Sequence, residues 1–400
     1  MDYKKIFSQS TRKQGSSMIR ELVASTRGIE GLISFAGGFP SPKTFPTKEL
    51  SELYADVVKN EGCEVLQYGA SEGDPVFKQA LINYEIKSNL KASEIITSVG
   101  STNAIFAYAK CFIDEGDYVI CEAPSFLGTV VAFEAMGAKL QGIEVEDDGM
   151  DMVQLEVEIQ KLIADNQKIK FIYTIPEFQN PTGVTMSKIK RERLIELAEL
   201  YDIPILEDNP YGELRYCGQR IDSIFEIARM QNKNIVTSVK SFSKVLGPGM
   251  RSAYMMGDEV IIAKVALWMQ KIIVSSDCVT QRVVGRFLER NMLDAQLQKI
   301  SEIYKPSLNA MLDALEKYMP STLKWTKPEG GMFIWITLPQ DMSGDELFEA
   351  AKAEKVCFIP GSKFYPKGQE KYNAIRLNFT FADPATIEEG VKRLARLFKK

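Results

Sequence analysis

The sequence predicts an α/β fold with a mostly parallel large-domain sheet and a smaller α+β domain. Three observations carry this. The chain has 400 residues, too many for one ordinary core and about right for two domains. From about Glu94, short apolar runs alternate with helical patterns. Past Tyr318 that alternation gives way to strands and helices of a different order.

The elements follow in sequence. The stretch to about Leu50 opens with an amphipathic piece, SSMIRELVAST, which puts Met18, Ile19, Leu22 and Val23 on one side. It passes into ISFAGGFPSPKTFP, whose glycines and prolines forbid regular helix. Apolar strands are expected at IITSV (95–99), DYVICE (117–122), IKFIYTI (169–175), PILED (204–208), IVTSVKSFS (235–243) and AYMMG (253–257). Helices are expected from Thr102, from about Ser125 and over 187–201. Strands apolar on both faces and separated by helices indicate a parallel sheet covered on both sides. Long helical patterns run from Gly257 to Tyr318. Strands at 332–338, 356–360 and 374–379, with helices at 344–355 and 384–399, make the small domain. The expected division is an N-terminal arm over 1–45 that shares the small domain, a large domain over 46–305 and a small domain over 306–400.

Composition excludes several functions. A net charge of −4 offers no general attraction to nucleic acid or to an anionic membrane. No run approaches the length of a membrane span, and the N-terminus lacks the apolar core of a secretory signal, so a cytoplasmic protein is expected. Six cysteines are scattered with no C-x-x-C pair, which reads as buried free thiols in a reducing compartment. There is no histidine. Serine–histidine and cysteine–histidine hydrolases are thereby excluded, as are histidine zinc sites, and no metal is expected. Any proton shuttle must be Lys, Asp, Glu, Tyr or Cys.

Ligands of an open α/β sheet bind beyond the carboxyl ends of its strands. The expected strands deliver there Gly100-Ser101-Thr102-Asn103, Pro124-Ser125-Phe126, Gln179-Asn180-Pro181-Thr182-Gly183, Asp208-Asn209-Pro210-Tyr211 and Ser241-Phe242-Ser243-Lys244, with Arg251 seven residues further on. Free amides at a helix start, two hydroxyls and an arginine suit a phosphate. A strand-end aspartate suits a cationic ring nitrogen, and an aromatic side chain suits a flat ring. A lysine in the same cluster suits a carbonyl, because an amine forms an imine.

These motifs, in this order, resemble the pyridoxal-phosphate aminotransferases of fold type I, class I/II. The resemblance runs from about Gly15 to the end. It rests on Asn180-Pro181-Thr182-Gly183, Asp208-x-x-Tyr211, Ser241-Phe242-Ser243-Lys244 with Arg251 seven residues on, and Arg376 in IRLNF. It implies the three-layer aminotransferase fold and pyridoxal 5'-phosphate as cofactor. Lys244 would carry the cofactor and move the proton, and Asp208 would pair with the ring nitrogen. Asn180 and Tyr211 would donate to the ring oxygen, and Phe126 would stack on the ring. Ser101, Thr102, Asn103, Ser241, Ser243 and Arg251 would hold the phosphate. Arg376 would grip the substrate carboxylate. Tyr68, in Gln67-Tyr68-Gly69, would reach the phosphate of a neighbouring subunit, which implies a homodimer. Many members carry Gln where this chain has Thr102 or Asn103. Each residue also has a plainer reading. Lys244 or Arg376 would be a surface cation, Asp208 a turn cap, Asn180 part of a turn, Phe126 core packing and Tyr68 a buried tyrosine within one subunit.

The segment ISFAGGFPSPKTFP is similar to the 2-aminoadipate and kynurenine aminotransferase branch, and to the aminotransferase-like half of MocR-type regulators. There Gly38 approaches the substrate, and Arg20 meets a distal carboxylate or is simply solvated. The implied reaction is transamination between an L-amino acid (2-aminoadipate, aromatic or aliphatic) and a 2-oxo acid such as 2-oxoglutarate. A carbon–sulfur β-lyase on the same scaffold and a non-catalytic ligand-sensing module are the alternatives.

Overall fold

In the computed structural model, residues 28–398 are described continuously, together with 1, 3–8, 11, 12, 22 and 24–26. Arg20, Met18, Ile19 and Val23 lie outside the described residues. The elements run β1 (Ile33–Ser34), α1 (Thr47–Val65), α2 (Pro75–Tyr84), β2 (Ile95–Ser98), α3 (Ser101–Phe112), β3 (Tyr118–Ala123), α4 (Leu127–Ala135), β4 (Lys139–Glu146), β5 (Gly149–Met150) and α5 (Met152–Ala164). They continue β6 (Ile169–Thr174), α6 (Lys188–Leu200), β7 (Ile205–Asn209), α7 (Ile224–Met230), β8 (Val236–Ser241), β9 (Ala253–Met256), α8 (Glu259–Ile273), α9 (Cys278–Glu289) and α10 (Leu293–Tyr318). The last are β10 (Lys324–Trp325), β11 (Phe333–Thr337), α11 (Gly344–Ala353), β12 (Val356–Cys357), β13 (Ile359–Pro360), β14 (Ala374–Asn378) and α12 (Pro384–Arg396).

The strand positions are explained by burial. Every residue of β2, β7 and β9 is buried, as a sheet covered on both faces requires. Among the described residues the large sheet has eight strands in the order β2-β9-β8-β7-β6-β3-β4-β5. The β8–β7, β7–β6, β6–β3 and β3–β4 pairs are parallel, and the other pairs are antiparallel. Helices α3, α4 and α8 pack together, as do α5, α6 and α7, and the two groups sandwich the sheet. This is the three-layer α/β architecture expected. The reversed strand β9 ties two distant segments together, because its Ala253 pairs with both Ser98 and Ser241. The start of α3 and the end of β8 therefore meet at one end of the sheet.

In a second sheet β14 is central, flanked by β11 and β13, with β10 beyond β11. The predicted strand 356–360 is corrected. It is two short pieces, β12 pairing with β1 and β13 pairing with β14. The cysteine reading is corrected too. All six thiols are free, but Cys63 and Cys217 are exposed and only Cys121 and Cys357 are fully buried.

Candidate active site

Beyond the carboxyl ends of the large sheet lies a cavity of about 290 Å³. Gly38, Ser101, Thr102, Phe126, Asn180, Asp208, Tyr211, Ser241, Ser243, Lys244, Arg251 and Arg376 all line it. The strand-end segments, far apart in sequence, converge as expected. Asn103 is not among the lining residues, and its buried side-chain oxygen has no hydrogen-bond partner in the protein. Of the Thr102–Asn103 pair, Thr102 is the one facing the cavity. Tyr68 is 82% exposed on the loop after α1, so the reading as a tyrosine buried within one subunit is wrong.

One wall is built for an anion. β8 ends at Ser241, whose hydroxyl donates to Ser243 Oγ at 2.9 Å. Arg251 comes just after a tight turn and is itself left-handed, at φ 49°. Its guanidinium donates to Ser243 Oγ at 3.4 Å and to the carbonyls of Pro248 and Val99 at 3.2 Å. None of these partners is an acid, so its charge is left for a ligand. Gly100, at φ +92°, turns the chain into α3, and a Cβ there would stand 2.0 Å from Arg251 Nη2. Only glycine allows this approach, and it brings Arg251 to the free amides of the α3 N-terminus.

The floor carries Asp208, fully buried on β7. Tyr173 donates to its Oδ2 at 2.8 Å, while Oδ1 is buried without any partner. Burial pushes its carboxyl up to about 7, and neighbouring Glu207 pushes the same way. A buried acid with one vacant oxygen is a receptor for a cation. Across the cavity, Lys244 Nζ donates to the Gly38 carbonyl at 3.0 Å. Burial lowers its ammonium to about 8, helped by the charges of Arg376 and Arg251. A lysine so shifted is a nucleophilic amine near neutral pH. Phe126 stands at the start of α4 with its ring at the cavity wall.

Arg376, on β14, is 3% exposed, which removes its reading as a surface cation. It donates to Asn180 Oδ1 at 3.0 Å and to the Ala36 carbonyl at 2.7 Å, and its Nε has no partner. Phe333 and Phe364 flank the guanidinium at 4.3 and 5.0 Å. Its neighbours are aromatic rings and neutral acceptors, so the charge is held in place without being neutralised. Asn180 in turn donates to Tyr211 Oη at 3.4 Å. The Asn180 turn is pinned by Gln179, which donates to the Pro124 carbonyl at 2.7 Å and to buried Glu122 at 3.2 Å.

The sequence places Gln179 among the strand-end residues without a role, whereas it assigns Tyr173, Phe333 and Phe364 no part in the site. These three carry no motif, and only strand pairing brings them to the site. The chemistry of the donor set fits pyridoxal phosphate: an anion cradle, an aspartate with a vacant oxygen, a flat aromatic wall and an amine of lowered pKa. Among the described residues no group of acids and cysteines could hold a metal ion.

Comparison with known proteins bears on the same point. The family model "Aminotransferase class I and II" matches residues 38–394. Aromatic-amino-acid aminotransferase 1 of Thermococcus litoralis is 38% identical, the match covering 100% of this chain and 95% of that protein. The kynurenine aminotransferase of Pyrococcus horikoshii, solved with PMP, superposes with a TM-score of 0.95 at 36% identity, covering 100% of this chain and 98% of that one. The alpha-aminoadipate aminotransferase of Thermus thermophilus, complexed with N-(5'-phosphopyridoxyl)-L-leucine, gives 0.90 at 32%, with the same coverage. A cavity whose lining chemistry suits this cofactor and a family match over most of the chain agree: the protein belongs to the class I and II aminotransferases, a pyridoxal-phosphate-dependent family.

Proposed function

We propose that the protein transaminates an aromatic, aliphatic or 2-aminoadipate L-amino acid with a 2-oxo acid such as 2-oxoglutarate. The observation that carries this is the arrangement of Lys244, Asp208 and Arg376 around one cavity. The named relatives act in turn on aromatic amino acids, kynurenine and alpha-aminoadipate, which supports this range.

Bound pyridoxal phosphate supplies an electron sink conjugated to the substrate Cα. Ser101, Thr102, Ser241, Ser243 and Arg251 hold its phosphate, and Phe126 covers its ring. Asp208 Oδ1 keeps a proton on the ring nitrogen. Asn180 and Tyr211 donate to the ring oxygen. Arg376 would grip the substrate carboxylate and so orient the Cα–H bond for proton removal. Lys244 Nζ would take the proton from the substrate Cα and hold it for return. Its lowered pKa suits both steps near neutral pH. Gly38 borders the substrate, leaving room where a side chain would intrude.

A homodimer completes this reading. Tyr68 is exposed, as a residue reaching a neighbour's phosphate must be. The cytoplasm is proposed because all six cysteines are free; cell fractionation that placed the protein elsewhere would overturn this. No described helix is long and apolar enough to cross a membrane.

The test is a stopped-flow panel of twenty amino acids against the holoenzyme. Aromatic amino acids or 2-aminoadipate should bleach the cofactor absorbance, and 2-oxoglutarate should restore it. Pyruvate and ammonia released from cysteine conjugates without any 2-oxo acid would indicate the lyase instead. No reaction with any amino acid would indicate a sensing module.

A further inference from the structure

Asp208 lies at the centre of the site, yet its carboxylate is held by a residue that never touches the cavity. Tyr173 sits on β6 opposite Leu206 of β7. Leu206 and Asp208 are two apart on one strand, so their side chains leave the sheet on the same face. The register thus brings the Tyr173 phenol to Asp208 Oδ2, at 2.8 Å. Both side chains are buried, Tyr173 at 0% exposure and Asp208 at 2%. Phe133 of α4 meets the Tyr173 ring edge-on, with centroids 5.5 Å apart, and fixes its orientation. Among the described residues Tyr173 is the one donor to this carboxylate, and Oδ1 has none.

We propose that Tyr173 is a positioning residue of the reaction: it occupies Oδ2 as a neutral donor, stabilises the carboxylate as an anion and turns Oδ1 toward the ring nitrogen of the cofactor. This rests on Asp208 pairing with that nitrogen. A neutral donor is what the position needs. An arginine or lysine there would neutralise Asp208 and compete with the cationic ring, whereas an apolar residue would leave a buried anion short of a partner. Burial, and next the Asp208 charge, push the phenol well above its ordinary value, so it stays a donor across the working range. A hydrogen bond to the charged form of an acid favours that form. Removing it makes Asp208 a stronger competitor for the proton it shares with the ring.

The experiment uses holoenzyme loaded with cofactor labelled with nitrogen-15 in the ring. Tyr173→Phe keeps the ring that packs on Phe133 and removes only the hydroxyl. The nitrogen signal should move from the pyridinium position toward neutral pyridine, and the amino-acid half-reaction should slow about tenfold. In an Asp208→Asn background, adding Tyr173→Phe should change the rate less than about twofold. An unmoved nitrogen signal, or a full additional loss in the Asp208→Asn background, would overturn the role of Tyr173. A nitrogen still protonated in Asp208→Asn alone would overturn the pairing of Asp208 itself, and the two failures are therefore distinct. Should Tyr173→Phe fold poorly, 3-fluorotyrosine at position 173 keeps the shape and strengthens the donor. It should hold the pyridinium signal to a higher pH than the wild type, and an unchanged titration would likewise overturn the proposal.

Discussion

Lys244 is partly buried and sits among like charges, and both facts act in one direction. Burial, then Arg376 and Arg251, lower its ammonium to about 8. Only the neutral amine attacks a carbonyl, so the reactive fraction rises with pH until that value is passed. Capture of pyridoxal phosphate by apoprotein, followed by absorbance, should accelerate about tenfold per pH unit below about 8 and level off above it. An ordinary lysine would keep accelerating to beyond about 10. A rate still climbing steeply above about pH 9 would contradict the lowered value. At this scale the sequence was legible wherever a residue sits in a motif whose spacing has a chemical reason. Asp208 and Arg251 are such residues. Tyr173 and Phe364 are not, because a strand tyrosine or a loop phenylalanine looks like any other core residue until the register is known.

Helix α8 presents apolar residues on both of its sides. Ile262, Val265, Ala266 and Met269 recur at helical spacing and are buried in the protein. Leu267, Trp268 and Ile272 point elsewhere and are exposed. Val274 just beyond is exposed too, and its carbonyl accepts from Ser71 Oγ at 2.7 Å, close in sequence to exposed Leu66 and Tyr68. Large apolar side chains clustered on the exposed side of a helix mark a surface that another molecule covers. The proposed partner is a second copy that takes this face and receives Tyr68. Sedimentation should give twice the chain mass of 44.9 kDa, and Trp268→Glu should shift the protein toward the single-chain mass. A wild-type monomer, or a dimer indifferent to Trp268→Glu, would contradict it. Elements were legible in proportion to how far their patterning departs from the average. The doubly buried strands and the capped helices α6, α11 and α12 fall within a few residues of expectation. Strand β4 and helix α5 drew no assignment: β4 lies near the sheet edge and mixes buried with exposed residues, so its apolar run is broken. Nor can any local pattern announce that β9 runs against its neighbours, since strand direction depends on the partner.

At the scale of the whole molecule, a sheet that is mostly parallel sends the ends of β3, β6, β7 and β8 to one edge, and the small sheet brings Arg376 to the same place. The cavity gathers three cations and a single buried acid, which is why an anionic cofactor and a carboxylate substrate fit it together. The fold class was readable because alternation of strand and helix leaves few topologies. The division of the expected 356–360 strand between two sheets was not, because β1, β12 and β13 are two residues each and leave no period. The roles of all these residues depend on the attachment of pyridoxal phosphate to one amine. The most direct measurement is borohydride reduction of the holoenzyme, with digestion and mass mapping of the modified peptide. One phosphopyridoxyl group per chain is predicted, on Lys244, and none in Lys244→Ala. Cofactor fixed to another lysine, or none fixed to the wild-type protein after reconstitution, would contradict it.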